Sequence, residues 1–246
     1  MTTTNQNNVE TPRIGILVGS TRPGRKAGAV ASWAYGRASH RSDATFDLID
    51  LAAYELPLLD EPLPPALGHH EHEHTRRWAA AIDPCDGFVM VTPEYNHSTS
   101  AALKNGLDYL FGEWNNKSVG FISYGSNGGV RAVEQLRCMA GELMLADVRS
   151  AVALPFAAEF KEMRDFTPSD GAVNALDDML DQVTLWARAL KPCRTDSESG
   201  GPDSTVPVED PQTALPQTTE WSNAPTDRIG LSDDQADLSG SADHDA

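Results

Sequence analysis

The feature that most constrains this chain's fold is a short apolar run that passes directly into a glycine-containing loop and then into a helical pattern. The run, Ile14–Val18, carries no polar side chain, as expected of a parallel strand that helices cover on both faces. The loop is Gly19–Lys26, and helical character follows over Ala27–Ala38. A buried strand that turns through a tight loop into a helix is the first half of a βαβ unit.

Further strand-like and helical patterns alternate along the chain. The predicted strands are Phe46–Leu51, Gly87–Thr92, Ser118–Ser123 and Val148–Ala153. The predicted helices are Glu73–Ile82, Ala101–Leu110, Arg131–Ala146 and Ala172–Leu190. Such alternation favours an α/β fold with a parallel sheet, and the polar character of Phe46–Leu51 suits an edge strand. We therefore predict a doubly wound five-stranded parallel sheet in the order 2-1-3-4-5, with helices on both faces.

The two ends of the chain differ in composition from its body. Of the 246 residues, the segment 192–246 is rich in Ser, Thr, Pro, Asp, Gln and Gly and has almost no apolar run. Such a segment cannot bury enough apolar surface to offset the entropy lost on ordering it. We predict one folded domain at 13–191, a disordered N-terminal arm at 1–12 and a disordered acidic tail at 192–246.

The charge balance restricts the partners of the chain. The formal net charge is −17, of which the segment 192–246 carries −10. Nucleic acids and anionic membranes attract basic surfaces, so neither is a predicted partner. No apolar run approaches the ~20 residues that cross a bilayer, and the first residues lack the features of a secretory signal. Three cysteines without metal-like spacing suit a reducing compartment, and we predict a cytoplasmic protein.

The loop after the first strand is a predicted phosphate site. In a doubly wound sheet, ligands bind beyond the carboxyl ends of the strands, at the switch point between the first and third strands. Gly19–Lys26 brings backbone N–H groups and the positive end of a helix to one point, and Ser20, Thr21 and Arg22 add donors suited to a phosphate monoester. Neither the Walker spacing nor the G-x-G-x-x-G motif is present, which weakens the hypothesis that this loop binds a pyrophosphate. The alternative is an ordinary polar connection whose arginines face solvent.

Two further loops follow the third and fourth predicted strands. Thr92–Ser98 offers the flat ring of Tyr95 and the amide of Asn96, which can meet the face and the edge of a heterocycle. The alternative for this loop is a turn followed by a serine helix cap. Ser123–Arg131 contains glycines that let the backbone approach a ligand closely, although it could equally be a flexible turn. These glycines are Gly125, Gly128 and Gly129.

Four segments, in this order and spacing, resemble the NADPH-dependent FMN reductase family of flavodoxin-like flavoproteins, which includes quinone, azo-dye and chromate reductases. They are GSTRPGR at 19–25, TPEYNHS at 92–98, ALKNGLDYL at 102–110 and YGSNGGVRA at 124–132. The resemblance spans Arg13–Leu190 and implies a flavodoxin-like fold, FMN as cofactor, and NADPH or NADH as electron donor. The chain departs from many members at Arg25 and Ala27, where they carry Ser and Asn.

By position, the resemblance implies a role for each loop. Ser20 and Arg22 would make the main contacts with the FMN phosphate. The residues of this phosphate site would be Gly19, Ser20, Thr21, Arg22 and Arg25. Those flanking the isoalloxazine would be Pro93, Glu94, Tyr95 and Asn96. Those closing over its other side would be Gly125, Ser126, Asn127, Gly128 and Gly129. The resemblance also implies a homodimer or homotetramer with the flavin near a subunit interface.

The predicted function is an NAD(P)H-dependent reductase that passes a hydride through FMN to a small acceptor such as a flavin or a quinone. The cofactor carries this chemistry, so no catalytic side chain is predicted. The alternative is a flavodoxin-type electron carrier that serves protein partners. Carriers typically lack arginine in the phosphate loop, so Arg22 and Arg25 favour the reductase. A third hypothesis keeps the fold as a binding module whose acidic tail recruits a partner.

Three other features suggest chemistry. The run His69–His74 alternates His and Glu and could bind a transition metal. It lies between a proline-rich loop and a helix, without a distant ligand, so we predict a solvated helix start and no metal. Cys85 precedes a strand and is predicted to be a small buried residue. For His97, a position on the substrate side of the flavin and a structural role at the helix entry both remain open.

Overall fold

A computed structural model describes residues 11–198 of the chain. The main strands are β1 (Arg13–Val18), β2 (Thr45–Asp50), β3 (Gly87–Pro93), β4 (Lys117–Gly125) and β5 (Leu145–Pro155). The helices are α1 (Ala27–Ala38), α2 (Glu73–Ile82), α3 (Ala101–Asp108), α4 (Val130–Glu142), α5 (Phe156–Glu159) and α6 (Asp170–Glu198). A short hairpin consists of β6 (Phe160–Lys161) and β7 (Asp165–Phe166). Within the described range, no helix combines the length and apolar character needed to cross a membrane.

The five main strands form one parallel sheet, and their order is β2-β1-β3-β4-β5, as predicted. Val18 at the end of β1 lies opposite Asp50 on one side and Val91 on the other. Further across the sheet, Pro93 lies opposite Tyr124. The carboxyl ends of β1, β3 and β4 therefore finish at the same edge of the sheet, and the three candidate loops begin there.

Helices cover both faces of this sheet and form two cores. The first core packs α1 and α6 against one face, with Val30 and Leu180 among its buried members. The second packs α2, α3 and α4 against the other face and contains Trp78 and Trp114. The two indole N–H groups donate to the carbonyls of Gly106 at 2.8 Å and Leu107 at 3.2 Å, so both rings are buried without losing their hydrogen bonds.

The boundary between α4 and β5 differs from the prediction. The helical pattern was expected to reach Ala146, but α4 ends at Glu142 and β5 already begins at Leu145. Met144 adopts a left-handed conformation with φ 53°, which reverses the chain. The side-chain amide of Asn115 donates to the Leu143 carbonyl at 2.9 Å and fixes this turn. Since Asn115 lies far away in sequence, helical periodicity could not reveal the stop.

The last helix extends beyond the predicted domain boundary. It was expected to end near Leu190, with the acidic tail starting at residue 192, but α6 continues through Glu198. Lys191 and Arg194 form ion pairs with the buried carboxylate of Asp86, which holds this extension against the sheet. The rest of the predicted tail, 199–246, lies outside the described residues. So does most of the predicted arm, although Pro12 is described and its carbonyl accepts from Thr45 N–H at 2.9 Å.

The segment after β5 was not predicted from the sequence. It forms the one-turn helix α5 and then the hairpin of β6 and β7. Glu162 and Met163 have φ values of 49° and 56°, as the central residues of a type I′ turn do, and Arg164 N–H donates to the Lys161 carbonyl at 2.9 Å. The ring of Phe166 packs edge-on against Trp33 of α1, with the centroids 5.3 Å apart. The hairpin therefore lies against α1, near the loop that leads into this helix.

Candidate functional site

A pocket of about 350 Å³ opens at the carboxyl edge of the sheet. Its walls are residues 22–26 of the first loop, residues 93–95 of the second loop, and the rings of Tyr124 and Phe156. The volume lies at the lower end of the range for small-molecule sites. The chain is acidic overall, yet this pocket is lined by Arg22, Arg25 and Lys26. The local charge therefore suits an anion.

A neighbouring pocket of about 330 Å³ lies beyond Thr21. Glu55 and Asn105 are its other polar lining residues. The Asn105 amide donates to the Pro57 carbonyl at 2.6 Å and accepts from Leu59 N–H at 2.9 Å, so it already holds the proline-rich loop. With a carboxylate and no cation in its wall, this pocket does not suit a phosphate.

The first loop is fixed at its start by close backbone packing. Gly19 N–H donates to the Val91 carbonyl at 2.8 Å. A Cβ atom at Gly19 would lie 2.7 Å from that same oxygen, so only glycine fits here. Ser20 is fully buried, and its hydroxyl lies 3.3 Å from the Tyr95 hydroxyl. The second predicted loop therefore meets the first through this pair of hydroxyl groups.

The two arginines predicted to bind the phosphate, Arg22 and Arg25, have different partners. The Arg22 guanidinium lies over the Tyr95 ring, 5.8 Å from its centroid, which is a cation–π contact rather than an ion pair. Arg25 forms an ion pair with Asp50 at the end of β2. Asp50 therefore offsets the charge of Arg25, whereas the positive charge of Arg22 faces the pocket beside an aromatic ring.

The second loop is a rigid two-residue turn. Tyr95 and Ser98 exchange two backbone hydrogen bonds, of 2.9 and 3.0 Å. Between them, Asn96 and His97 both adopt left-handed conformations, with φ 48° and 72°, as a type I′ turn requires. The His97 carbonyl accepts from the Gln135 side chain at 2.8 Å, which ties the turn to α4. The backbone of His97 therefore has a structural role at the helix entry.

Glu94 joins the second loop to the third. Its carboxylate is 7% exposed, pairs with the Arg131 guanidinium and accepts from Arg131 N–H at 3.2 Å. Burial alone would raise the pKa of Glu94, but the hydrogen bonds from Arg131 outweigh it and hold the pKa below its ordinary value. The carboxylate is thus committed to the start of α4. The contribution of Glu94 to the pocket is the wall that it forms with Pro93 and Tyr95.

The third loop curls back on its own strand. The Ser123 hydroxyl donates to the Gly128 carbonyl at 2.7 Å, and Gly128 N–H donates to the Gly125 carbonyl at 3.1 Å. Gly128 and Gly129 have φ values of 76° and 78°. At the loop tip, Ser126 and Asn127 are exposed and lie outside the pocket wall, as does Asn96.

Tyr124 and Phe156 line the pocket but were not among the residues predicted for the site. Tyr124 is 3% exposed, and its hydroxyl has no hydrogen-bond partner within residues 11–198. Tyr124 is the last residue but one of β4, and the third loop was expected to contribute only from Gly125 onwards. A hydroxyl-bearing residue at the carboxyl end of a central strand was the signal available. With Ser20, Arg22 and the start of α1, it forms a donor set that fits a phosphate monoester.

The histidine-rich run ties the proline-rich loop to α2. His70 Nε2 lies 2.6 Å from Glu113 Oε1, and His74 Nε2 lies 2.9 Å from Asp60 Oδ1. The helix begins at Glu73 as predicted, but the expectation of a solvated run is wrong for His70, whose side chain is 13% exposed. Across residues 11–198, no group of three or more His, Cys, Asp or Glu side chains could hold a metal ion. Cys85 is buried, as predicted.

Ser100 joins the first loop to α3. Its hydroxyl accepts from Leu103 N–H at 3.0 Å as an N-cap and donates to the Gly19 carbonyl. We expect Ser100→Ala to reduce the free energy of unfolding by about 1–2 kcal/mol, because it removes a helix cap and leaves a buried carbonyl unpaired. Urea unfolding would measure the loss. Ser39→Ala, which removes an exposed hydroxyl, is the control, and an equally small change in both variants would contradict the prediction.

Comparison with known proteins agrees with this geometry. The family model described as NADPH-dependent FMN reductase matches residues 12–159. An NAD(P)H-dependent FMN reductase of Schizosaccharomyces pombe is 37% identical over 149 residues, which is 59% of this chain and 74% of the relative. A protein of the same description from Nectria is 37% identical over 153 residues, 59% of this chain and 76% of the relative. Less similar relatives are named NADPH azoreductase and 2-hydroxy-1,4-benzoquinone reductase.

The fold also matches a solved flavoenzyme. FerB, an NAD(P)H:(acceptor) oxidoreductase from Paracoccus denitrificans, gives a TM-score of 0.57 at 20% identity, over 73% of this chain and 98% of that one. At this level of identity the likeness establishes the flavodoxin-like fold. The family model covers more than half of the chain and includes all three loops. The chain therefore belongs to the NADPH-dependent FMN reductase family.

Proposed function

We propose that this protein binds FMN in the pocket at the first loop and reduces a small acceptor at the expense of NADPH or NADH. The observation that carries the proposal is the convergence of Arg22, Arg25 and Lys26, the N-cap residue of α1, on one pocket of an otherwise acidic chain. The buried hydroxyl of Ser20 lies next to this pocket, 3.3 Å from the Tyr95 hydroxyl in its wall. The family match and its NAD(P)H-dependent relatives support the same function.

Bound FMN would supply the hydride-accepting ring, so the protein's task is to hold and orient it. Ser20 and the first N–H groups of α1 would donate to the phosphate, and the Arg22 guanidinium would balance its charge. Arg25 would contribute less, because Asp50 already pairs with it. The turn at Tyr95 would fix the edge of the ring system. Its two backbone hydrogen bonds hold it rigid before the cofactor arrives.

The third loop would form the opposite wall of the flavin site. The ion pair of Glu94 and Arg131 connects the second loop to the start of α4, where the third loop ends. The glycines of the loop let its backbone approach a planar ligand. The exposed residues Asn96, Ser126 and Asn127 would border the open side of the flavin, where an acceptor enters.

The relatives named azoreductase and benzoquinone reductase support a quinone or similar small aromatic as the acceptor. A reducing compartment, the cytoplasm, suits three cysteines that are all unpaired. We propose a homodimer or homotetramer as the assembly, as in the family. An electron carrier without NAD(P)H activity is the alternative. Steady-state oxidation of NADPH and NADH with a quinone acceptor distinguishes the two, because a carrier would show almost none.

Arg22→Ala is expected to weaken FMN binding by about 1.5–3 kcal/mol, or roughly 10- to 150-fold, because a charge-assisted hydrogen bond to phosphate is lost. Equilibrium flavin titration, followed by fluorescence quenching, measures the effect. Riboflavin lacks the phosphate, so its affinity should stay nearly unchanged. Arg76→Ala removes a cation from α2 on the surface and controls for net charge. Equal FMN affinity in the Arg22 and Arg76 variants would remove Arg22 from the site.

A further inference from the structure

The hydroxyl of Tyr124 is the one polar group of the pocket wall that the structure buries without a partner among residues 11–198. A buried hydroxyl without a hydrogen bond costs about 1–3 kcal/mol, so native proteins rarely keep one. Tyr124 is 3% exposed, so bulk water does not substitute. The hydroxyl lies on a ligand-sized pocket, and a bound ligand is the natural source of its missing partner.

The Tyr124 side chain reaches the beginning of α1. Burial raises the pKa of Tyr124 above its ordinary value, and Tyr95 adds to the rise. The Ala27 N–H and the Ser20 hydroxyl are close enough to lower this pKa, but neither makes a hydrogen bond of acceptable geometry with the Tyr124 hydroxyl. These groups are therefore its immediate surroundings. Ser20 and Tyr95 are themselves joined, hydroxyl to hydroxyl, at 3.3 Å. Three hydroxyl groups thus converge at the first turn of α1, and Tyr124 stays a neutral donor at physiological pH.

The first turn of α1 is also open to an anion. Its N-cap residue is Lys26, which makes no side-chain hydrogen bond to the helix. The ammonium group of Lys26 instead lies over the rings of Phe156 and Phe160, 6.0 and 5.7 Å from their centroids. A helix start that lacks a side-chain cap leaves N–H donors and a positive dipole for a ligand to satisfy.

The segment after β5 holds Tyr124 in place. The Tyr124 ring lies 6.1 Å from Phe156 and 6.3 Å from Phe160 between centroids. The two phenylalanine rings pack edge-on at 5.2 Å. Because these rings and the buried strand confine Tyr124 on the side of the sheet, its hydroxyl cannot readily turn away from α1.

We propose that Tyr124 binds the phosphate monoester of the flavin, donating its hydroxyl to a phosphate oxygen beside Ser20 and the first turn of α1. Tyr124 thereby contributes to the preference for FMN over riboflavin. This assignment rests on the proposed function and adds to it a residue outside the first loop. The chemistry is consistent, since a phosphate offers acceptors and the three hydroxyl groups and the helix N–H groups can all donate.

The test is Tyr124→Phe, which removes one oxygen atom and keeps the ring. Dissociation constants of FMN and riboflavin would be measured by fluorescence quenching for the wild type, Tyr124→Phe, and Tyr35→Phe as the control on the exposed face of α1. We expect FMN binding to weaken about tenfold or more in Tyr124→Phe, with riboflavin binding unchanged. The flavin-free variant should be about as stable to heat as the wild type, because the Tyr124 hydroxyl makes no well-formed hydrogen bond within residues 11–198.

An equal loss of FMN and riboflavin affinity would overturn the assignment, because it would place the hydroxyl against the ring or the ribityl chain. Unchanged FMN affinity would overturn it as well. Melting temperatures measured with inorganic phosphate distinguish a failure of the Tyr124 assignment from a failure of the proposed function. If the wild type binds no flavin but phosphate raises its melting temperature more than that of Tyr124→Phe, the phosphate site stands and the FMN function fails. If phosphate stabilises both equally, Tyr124 is not a phosphate ligand.

Discussion

Gly129→Ala is expected to destabilise the protein by about 4 kcal/mol, from left-handed backbone strain and steric overlap together. Gly129 has φ 78°, a conformation that residues with a Cβ rarely adopt. An added Cβ would lie 2.7 Å from Ser123 Cβ and 2.8 Å from Tyr124 N. Both neighbours belong to the buried end of β4, so neither can move without shifting the central sheet.

Two other glycines separate these contributions. Gly24 has φ 71° with open space around it, so Gly24→Ala should show the backbone strain alone, about 1 kcal/mol. Gly141 lies in α4 with open space, and Gly141→Ala should be neutral or slightly stabilising. Urea unfolding of the three variants would give the order of stabilities. A Gly129 variant no less stable than the Gly24 variant would show that the loop yields at little cost.

The same substitution should also impair the flavin site. Gly129 sits at the start of α4, next to the peptide that leads from Tyr124 into the third loop. Any relaxation of the overlap moves Tyr124, the hydrogen bond from Ser123 to Gly128, or both. FMN binding should therefore fall in whatever fraction of the variant remains folded. Flavin titration at a temperature well below the unfolding transition would detect this.

The sheet order could be predicted because the sequence contains its determinants locally. Ile14–Val18 and Gly87–Thr92 are apolar throughout, which indicates strands covered on both faces, while Phe46–Leu51 alternates as an edge strand does. The loops that follow these strands then had to share one edge of the sheet. This is why the first loop and Tyr95 of the second were correctly expected to lie together.

The roles of individual side chains within the loops could not be predicted in the same way. Glu94 lies in the pocket wall, but the sequence did not show that its carboxylate would pair with Arg131 at the start of α4. Arg25 pairs with Asp50, which enters the site from the end of β2. Such choices depend on the packing of elements distant in sequence, and no local pattern records them. The extension of α6 towards Asp86 has the same origin.

Lys117 lies at the opposite, amino-terminal edge of the sheet, and its buried amine should make the stability of the protein depend on pH. Its side chain is 2% exposed and donates to the carbonyls of Ile82 at 3.2 Å and Asp83 at 2.8 Å. Burial lowers the pKa of Lys117 from 10.5 to about 8. Below pH 8 the amine is protonated in the folded and the unfolded states, and the fold bears the full penalty of the buried charge.

As the pH rises from about 8 to 10.5, the folded protein releases this proton while the unfolded chain keeps it, so stability increases. The shift corresponds to about 3 kcal/mol. Cys85 opposes this increase in stability. Burial raises the pKa of its thiol from 9.0 to about 11, so the contribution of Cys85 to stability falls as the pH rises through that interval. Only a comparison of variants therefore separates the two groups.

We expect the stability of the wild type, relative to that of Lys117→Met, to increase by up to about 3 kcal/mol between pH 7.5 and 10.5. Urea unfolding at several pH values would measure the difference. In the protein with Lys117 intact, Cys85→Ala should make the free energy of unfolding rise more steeply above pH 9, because it removes the opposing titration of the thiol. Lys104→Met is the matched control, since Lys104 lies on the exposed face of α3 and its ammonium group pairs with Asp108 at the surface instead of being buried. If the curves of the wild type and Lys117→Met ran parallel, Lys117 would keep its charge throughout this range, and the penalty assigned to its burial would be wrong.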